Sequence, residues 1–253
     1  MYNYKITVSY DGRDFSGWQR QENGIAVQEV LEGAIGQVLG HPITIFGSGR
    51  TDAGVHALGQ VASFFSTSLR TPTQLIRGSN SLLPDSIALL AVELMPEDFN
   101  ARFSATGKKY SYDYLVSPTR LPLLNWRSWW VGPKLAWDKG SKCLSHLVGE
   151  KDFSTFRSTG SPTKSNVRKI FSATLSSPEV NIMRLELVGS GFLRHMARAI
   201  AGSLYEVGRG RIDPNDFPSI IAKGDRKLAG FAAPAKGLCL REVYYHPISE
   251  NNL

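Results

Sequence analysis

The 253 residues allow one large domain or two small ones, at roughly 150 residues per domain, and either can bury a core without staples. A composition that is 42% hydrophobic and 20% charged excludes disorder, collagen and coiled coil, and two cysteines exclude a disulfide framework. The 29 Lys and Arg exceed the 22 Asp and Glu, a net charge of +7.

In chain order, Tyr4 to Tyr10 alternates polar and apolar residues as a strand does, and the stretch Met1 to Tyr10 lacks the basic patch, apolar run and small-residue cleavage site of a signal peptide. Val27, Val30, Leu31, Ala34, Ile35, Val38 and Leu39 recur at helical spacing up to Gly40, a C-terminal stop. Ile43 to Phe46 and Gln60 to Phe65 read as strands on either side of a glycine-rich stretch, Thr71 opens a short helix through Ile76, and Ile87 to Leu94 is a further strand. The first half is thus β-α-β-β-α-β. In the second half Lys109 to Val116, with Tyr110, Tyr112 and Tyr114 in alternation, is a strand, Trp137 to Val148 a helix, and Val167 to Leu175 and Asn181 to Val188 an antiparallel pair. Phe192 to Val207 and Pro214 to Lys223 follow as helices and Leu238 to Tyr245 as the closing strand. The element order nearly repeats. It predicts an α+β fold of two split β-α-β units, ferredoxin-like or RRM-like, in a mixed and mainly antiparallel sheet with the helices on one face. The boundary falls near residues 100–106, giving domains 1–104 and 105–253.

No apolar stretch approaches the ~18 residues needed to span a bilayer, so a soluble, cytoplasmic protein without a membrane partner is expected. Cys143 and Cys239 have no Cys or His at metal-ligand spacing and read as small buried apolar residues. Trp126, Trp129 and Trp130 read as core or interface packing. Residues 1–104 hold 7 basic and 10 acidic side chains, whereas residues 105–253 hold 22 and 12. Arg157, Lys164, Arg168 and Lys169 follow one another with no acid between Asp152 and Glu179. Charge alone leaves a solvated face and a nucleic-acid surface equally open.

The segment Gly47-Ser-Gly-Arg-Thr-Asp-Ala-Gly-Val-His-Ala57 carries the chemistry. Lying between strands and lacking Gly-Lys-Ser/Thr, it is neither a dinucleotide fingerprint nor a P-loop. It offers one carboxylate, Asp52, between a cation, Arg50, and a titratable ring, His56. A lone Asp suits nucleophilic or general-base work better than two-carboxylate glycoside hydrolysis, yet the pattern alone favours a turn-forming carboxylate over a catalyst. Arg50 either keeps Asp52 ionised or pins a phosphate. His56 reads as structural, with no metal-ligand partner at the right spacing.

This segment, continued by Gly59-Gln60-Val61, resembles the signature of the tRNA pseudouridine synthase A family. The resemblance extends to Tyr10-Asp-Gly with Phe15-Ser-Gly-Trp-Gln19, Phe99-Asn-Ala-Arg-Phe-Ser-Ala105 before Tyr110-Ser-Tyr112, Asp152-Phe-Ser-Thr-Phe-Arg157, Phe192-Leu-Arg-His-Met-Ala-Arg198 and Gly237-Leu-Cys-Leu240, in family order over nearly the whole chain. It implies an isomerase that converts uridine to pseudouridine in the anticodon arm of tRNA, at roughly positions 38 to 40. Asp52 then matches the catalytic aspartate, which attacks either the uracil ring or the ribose anomeric carbon. Tyr110 matches a tyrosine that packs on the target base and assists proton transfer, although a core aromatic would look the same. Arg198 matches a basic residue that pairs with the aspartate. On the expected helix it stands one turn from Arg194, so one of the two faces inward, the alternative being a surface ion pair. Leu240 matches an apolar wall beneath the uracil, or is a core leucine, and Arg50 orients Asp52 or the flipped nucleotide. Arg157, Arg168 and Lys169 belong to the basic surface that tracks tRNA phosphates along a central basic cleft. The resemblance further implies a homodimer and neither cofactor nor metal. Two other readings stay open: a non-catalytic RNA-binding module, and a nucleoside or glycoside hydrolase that uses Asp52.

Overall fold

The computed structural model describes residues 1–160 and 163–248. The chain divides into two compact units, residues 1–106 with 239–247, and residues 107–238 with 248.

The first unit contains β1 (Tyr2–Tyr10), α1 (Val27–Leu39), β2 (Phe46–Gly47), β3 (His56–Ser66), α2 (Pro72–Asn80) and β4 (Ile87–Met95). Its strands lie in the order β4-β1-β3-β2, all neighbours antiparallel, which is split β-α-β connectivity. In β1 the alternation buries Tyr4, Ile6, Val8 and Tyr10. The α1 stripe buries Val27, Leu31, Ala34, Ile35 and Leu39, and Gly40 stops the helix in the left-handed region at φ 79°. Helix α2 runs beyond Ile76 to Asn80, and Thr71 and Gln74 close a capping box on its first turn. The expected strand at Ile43 is shorter, because only Phe46 and Gly47 find partners, Ser63 and Ala62.

The second unit holds β5 (Gly107–Leu115), α3 (Pro122–Asn125), β6 (Trp129–Trp130), α4 (Trp137–Leu144), β7 (Gly149–Asp152), β8 (Val167–Glu179), β9 (Ile182–Gly189), α5 (Met196–Gly208) and α6 (Phe217–Lys223). The strand order is β5-β9-β8-β7, antiparallel throughout, and β6 adds to β5 in parallel. The final strand, β10 (Leu238–Tyr244), lies from Cys239 onward in the first unit and pairs in parallel with β3, Cys239 opposite His56 and Leu240 opposite Ala57. The protein is therefore α+β, with split β-α-β order and mainly antiparallel pairing. Cys143 is buried, but Cys239 is only half-buried, against the expectation. Trp129 joins a cluster with Tyr114, Tyr205 and Phe231, whereas Trp126 and Trp130 keep more than a third of their surface exposed.

Two expected helices start or end differently. Helix α4 stops at Leu144, ahead of the turns that lead into β7. Helix α5 begins at Met196 because His195 takes a left-handed backbone at φ 60° and cannot continue a helix on its N-terminal side. Phe192 to Arg194 therefore precede the helix.

Close backbone approach shapes the far side of α5. A Cβ at Gly202 would overlap the Phe231 carbonyl oxygen, and one at Gly230 would come within 2.5 Å of the α5 backbone at Gly202 and Ser203. The segment 230–233 lies against the helix for that reason, with the Gly230 N–H donating to Ser203 Oγ at 2.8 Å. In an ordinary helix interior Gly→Ala stabilises by about 1 kcal/mol. At Gly202 the sign reverses: Gly202→Ala is expected to lower the unfolding free energy by roughly 1–3 kcal/mol through overpacking, measured as a lower urea midpoint. A raised midpoint would show that segment 230–233 moves aside freely.

Candidate active site

Asp52 sits half-buried in the loop of residues 48–55 between β2 and β3. A reactive side chain needs a fixed backbone, and this loop has no helix or strand of its own to fix it. Residues 10–18 do so. The Trp18 N–H donates to the Thr51 carbonyl at 3.1 Å, and the Tyr10 hydroxyl lies 2.8 Å from Thr51 Oγ1 in a buried contact. The same short segment caps α1, which has no side-chain cap: the carbonyls of Gly17 and Trp18 accept from Val27 N–H and Gln28 N–H at 3.1 and 3.0 Å. Gly17 has φ 97°, and a Cβ there would stand 2.6 Å from the Thr51 carbonyl oxygen, so a side chain would force the two segments apart. From the other side Gln60 holds the loop, its Nε2 donating to the Gly49 carbonyl at 3.0 Å and its Oε1 accepting from Ser48 Oγ at 2.9 Å. The Val55 N–H closes the turn on the Asp52 carbonyl at 3.1 Å.

The charged groups around this loop are also placed by hydrogen bonds. Arg50 is exposed, with its Nε donating to Gln19 Oε1 at 3.1 Å. His56 is buried, its Nδ1 3.1 Å from Asp11 Oδ1 and 3.2 Å from the Gly12 nitrogen. A protonated Nδ1 donates to Asp11, and a bare one accepts from Gly12. Burial opposes ionisation of Asp11, but hydrogen bonds from Arg13 and the His56 charge outweigh it and hold the carboxyl below its ordinary range. Burial pushes the Tyr10 phenol well up, so it stays neutral beside Thr51. Leu240 is buried on β10 opposite Ala57, the last residue of the glycine-rich segment.

In the second unit Tyr110 is buried on β5 with Phe192 edge-on at 4.9 Å. Arg198 stands half-buried in the first turn of α5. Its Nε donates to the Ala233 carbonyl at 2.7 Å, and its own carbonyl accepts from Ala233 N–H at 3.0 Å. Because Arg194 precedes the helix, the expected one-turn spacing of Arg194 and Arg198 does not occur; Arg194 Nη1 donates instead to the Thr159 carbonyl at 3.0 Å. Arg157 donates to Asn166 Oδ1 at 3.0 Å. Arg168 donates to the carbonyls of Ser165 and Val167 at 2.9 and 2.6 Å, and both its burial and the Arg157 charge lower its pKa. Lys169 is exposed, its ammonium 5.4 Å from the Phe171 ring centroid.

The profile of a family described as tRNA pseudouridine synthase matches residues 6–104 and 144–246. The chain belongs to the tRNA pseudouridine synthase family. It is similar over nearly its whole length to proteins named tRNA pseudouridine synthase A: 40% identical to that of Geotalea uraniireducens (97% of this chain, 100% of the relative), 43% to that of Syntrophotalea carbinolica (96% of each) and 41% to that of Ruminiclostridium cellulolyticum (97% and 100%). Within this pseudouridine synthase family chain, Arg50, Asp52, Arg157, Arg168, Lys169, Arg198 and Leu240 fall inside the matched segments, and Tyr110 falls between them.

Of the residues singled out in the sequence, Arg50, Asp52 and Leu240 lie in the first unit, and Tyr110, Arg157, Arg168, Lys169 and Arg198 in the second. Tyr10, Thr51 and Gln60 escaped notice as members of the site. Their only signal was membership of motifs, since no spacing tells that a strand tyrosine reaches a threonine 41 positions away. An open groove of about 840 Å³ is lined by Gln19, Arg20, Gln28 and Thr44 but not by Asp52. Among the described residues no three His, Cys, Asp or Glu side chains form a metal-ligand set, and no helix is long and apolar enough to cross a membrane.

Tyr10→Phe deletes one hydroxyl and leaves Thr51 Oγ1 buried without it. The expected cost is about 1–2 kcal/mol, read as a lower urea midpoint at unchanged slope. An unchanged midpoint would show that the Trp18 bond holds Thr51 alone.

Proposed function

We propose that the protein isomerises uridine to pseudouridine in the anticodon arm of tRNA, at roughly positions 38 to 40, with Asp52 as the nucleophile. The observation that carries this reading is the half-buried Asp52 on a clamped loop inside the segment that matches the family. The reaction exchanges a bond from the anomeric carbon to uracil N1 for one to C5. The C5 proton leaves to solvent, N1 gains one, and no atoms are otherwise gained or lost. Asp52 attacks the ring or the anomeric carbon and is expelled again when the base has turned and rejoined.

A base stacked in the arm is out of reach, so the nucleotide is everted at a cost of a few kcal/mol of unstacking. Leu240 and Tyr110 supply apolar and aromatic surface that offsets part of it, and Tyr110 assists proton transfer. Arg50 and Arg198 supply guanidinium groups for the anionic groups of the reaction. Arg157, Arg168 and Lys169 take phosphates. Arg157 and Arg168 already disfavour one another, and no acidic residue lies between Asp152 and Glu179, so an anion relieves a repulsion built into the fold. On the same reading the protein is a homodimer acting on tRNA in the cytoplasm.

The decisive assay uses tRNA labelled with tritium at uracil C5. Release of label with the base retained in the strand supports isomerisation. Free uracil indicates a hydrolase, and binding without release indicates a non-catalytic module. Asp52→Ala is expected to abolish release while tRNA affinity stays within about tenfold, because phosphates supply most of the binding energy. An affinity loss as large as the activity loss contradicts this. Arg168→Ala with Lys169→Ala is expected to weaken binding and to lower the slope of log affinity against log salt by about 1 to 2. An unchanged slope places both residues outside the RNA footprint.

A further inference from the structure

Behind Arg50 runs a chain of amides and a carboxylate that the proposed roles leave unused. Gln28, the second residue of α1, is buried and makes four hydrogen bonds. Its Nε2 donates to Glu32 Oε1 at 2.9 Å and to the Ile45 carbonyl at 3.0 Å. Its Oε1 accepts from Gln19 Nε2 at 2.7 Å and from the Arg20 N–H at 3.0 Å. Gln19 Oε1 in turn accepts from Arg50 Nε at 3.1 Å. Glu32, nearly buried, also takes the Ile45 N–H at 2.9 Å, one residue before β2 leads into the glycine-rich loop.

The direction of this chain is forced. The Arg20 N–H can only donate and the Ile45 carbonyl can only accept, so Gln28 has one permissible amide orientation. That orientation demands a donor from Gln19, which leaves Gln19 its oxygen to present outward. An outward oxygen accepts only from a donor, and Arg50 Nε–H is that donor. Turning Gln28 over would set N–H against N–H at one end and oxygen against oxygen at the other, at a buried site where an unsatisfied group costs more than a hydrogen bond gains, and turning Gln19 over would set its oxygen against the Gln28 oxygen and its N–H against that of Arg50. The Gln19 bond is the one that the described residues give Arg50, and it leaves both terminal nitrogens of the guanidinium available.

We propose that Gln28, through Gln19, is a positioning residue that aims Arg50: the relay fixes the Nε edge of the guanidinium so that its terminal nitrogens face an anionic or carbonyl acceptor of the bound tRNA nucleotide. The inference rests on the proposed function for its acceptor, but the relay itself is a property of the first unit.

The test combines Gln28→Met, which keeps volume and removes the amide, with Gln19→Met, which breaks the outer link at an exposed position. Each is made alone and in an Arg50→Ala background, and tritium release and tRNA affinity are measured. Each single variant is expected to lower kcat/KM roughly tenfold, the worth of one hydrogen bond to a charged group, and to change it by less than about twofold once Arg50 is gone. An equal loss in both backgrounds, or none in either, overturns the proposal. If Gln28→Met does not fold, Gln19→Met decides by the same comparison. Exchange of the Arg50 Nε proton with water, followed by nitrogen-15 NMR on the free protein, separates the two hypotheses. Slow exchange in the wild type and fast exchange in both variants supports the relay even where the wild type releases no tritium and the tRNA reading fails. Exchange equally fast in all three overturns the relay whatever the activity.

Discussion

The hydrogen bond from the Trp18 amide to the Thr51 carbonyl joins a helix terminus to a loop that could not hold itself. Helix α1 begins with unpaired N–H groups, and the carbonyls of Gly17 and Trp18 satisfy two of them. That fixes the backbone of residues 17 and 18, and the Trp18 N–H, pointing away from the helix, meets Thr51. Rigidity thus passes from the hydrogen-bond ladder of α1, through two residues, to the residue preceding Asp52. The buried Tyr10 hydroxyl brings the same loop into register with β1, the strand at the centre of the β4-β1-β3 order. A loop tied at Thr51 through its carbonyl to residue 18 and through its hydroxyl to β1 has little freedom left to lose when a ligand binds, so the ordering cost falls on folding instead of on binding.

The second unit braces its arginine by related means. The alternating tyrosines of β5 bury their rings, and burial pushes the Tyr112 and Tyr114 phenols well above their ordinary range. Each neutral hydroxyl donates to a carbonyl, Tyr114 to Ala201 on α5 and Tyr112 to Pro234, both at 2.8 Å. Pro234 follows Ala233, whose carbonyl holds Arg198 Nε and whose N–H is held by the Arg198 carbonyl. The close approach at Gly202 brings that segment within reach of the helix. Arg198 is therefore positioned by three parts of the chain far apart in sequence: a strand tyrosine, a helix glycine and a loop carbonyl.

These dependencies show what the sequence could and could not reveal. The periodicity of Val27 to Leu39 with Gly40 behind it located α1 to the residue, because burial and the left-handed stop are local matters. The alternation of Tyr110, Tyr112 and Tyr114 located β5 for the same reason. Phe192 to Arg194 carry apolar and basic residues at helical spacing, yet His195 adopts a left-handed backbone that propensity does not announce, and the helix starts four residues late. Asp52 and Arg50 stand out in the sequence as charged residues in a glycine-rich segment, and Arg198 only through motif resemblance. Their supports do not. Gln19, Gln28 and Glu32 look like ordinary solvated residues on the first turns of an amphipathic helix and the loop before it, and only coordinates show that backbone groups at Arg20 and Ile45 dictate which way each amide faces.

Arg50 and Arg198 share a further feature: each is held by its Nε, at 3.1 and 2.7 Å. At Arg50 that tie leaves the bidentate terminal edge for another partner, and in both side chains the torsions that place the guanidinium are already restricted. An arginine side chain carries about 2 kcal/mol of rotamer entropy, and restricting it in the free protein lowers the cost of engaging a further partner by a part of that amount. Arg168 differs. It spends a terminal nitrogen on two backbone carbonyls and stands beside Arg157, so its contribution lies in charge held at a place where charge is disfavoured. Unfavourable potential of this kind attracts phosphates at long range and is screened by salt. An anchored guanidinium, which acts through directed hydrogen bonds, depends far less on ionic strength. On the proposed function, encounter with a polyanion falls to Arg168 and orientation of a nucleotide to Arg50, a division that follows from which nitrogen of each guanidinium the fold has already used.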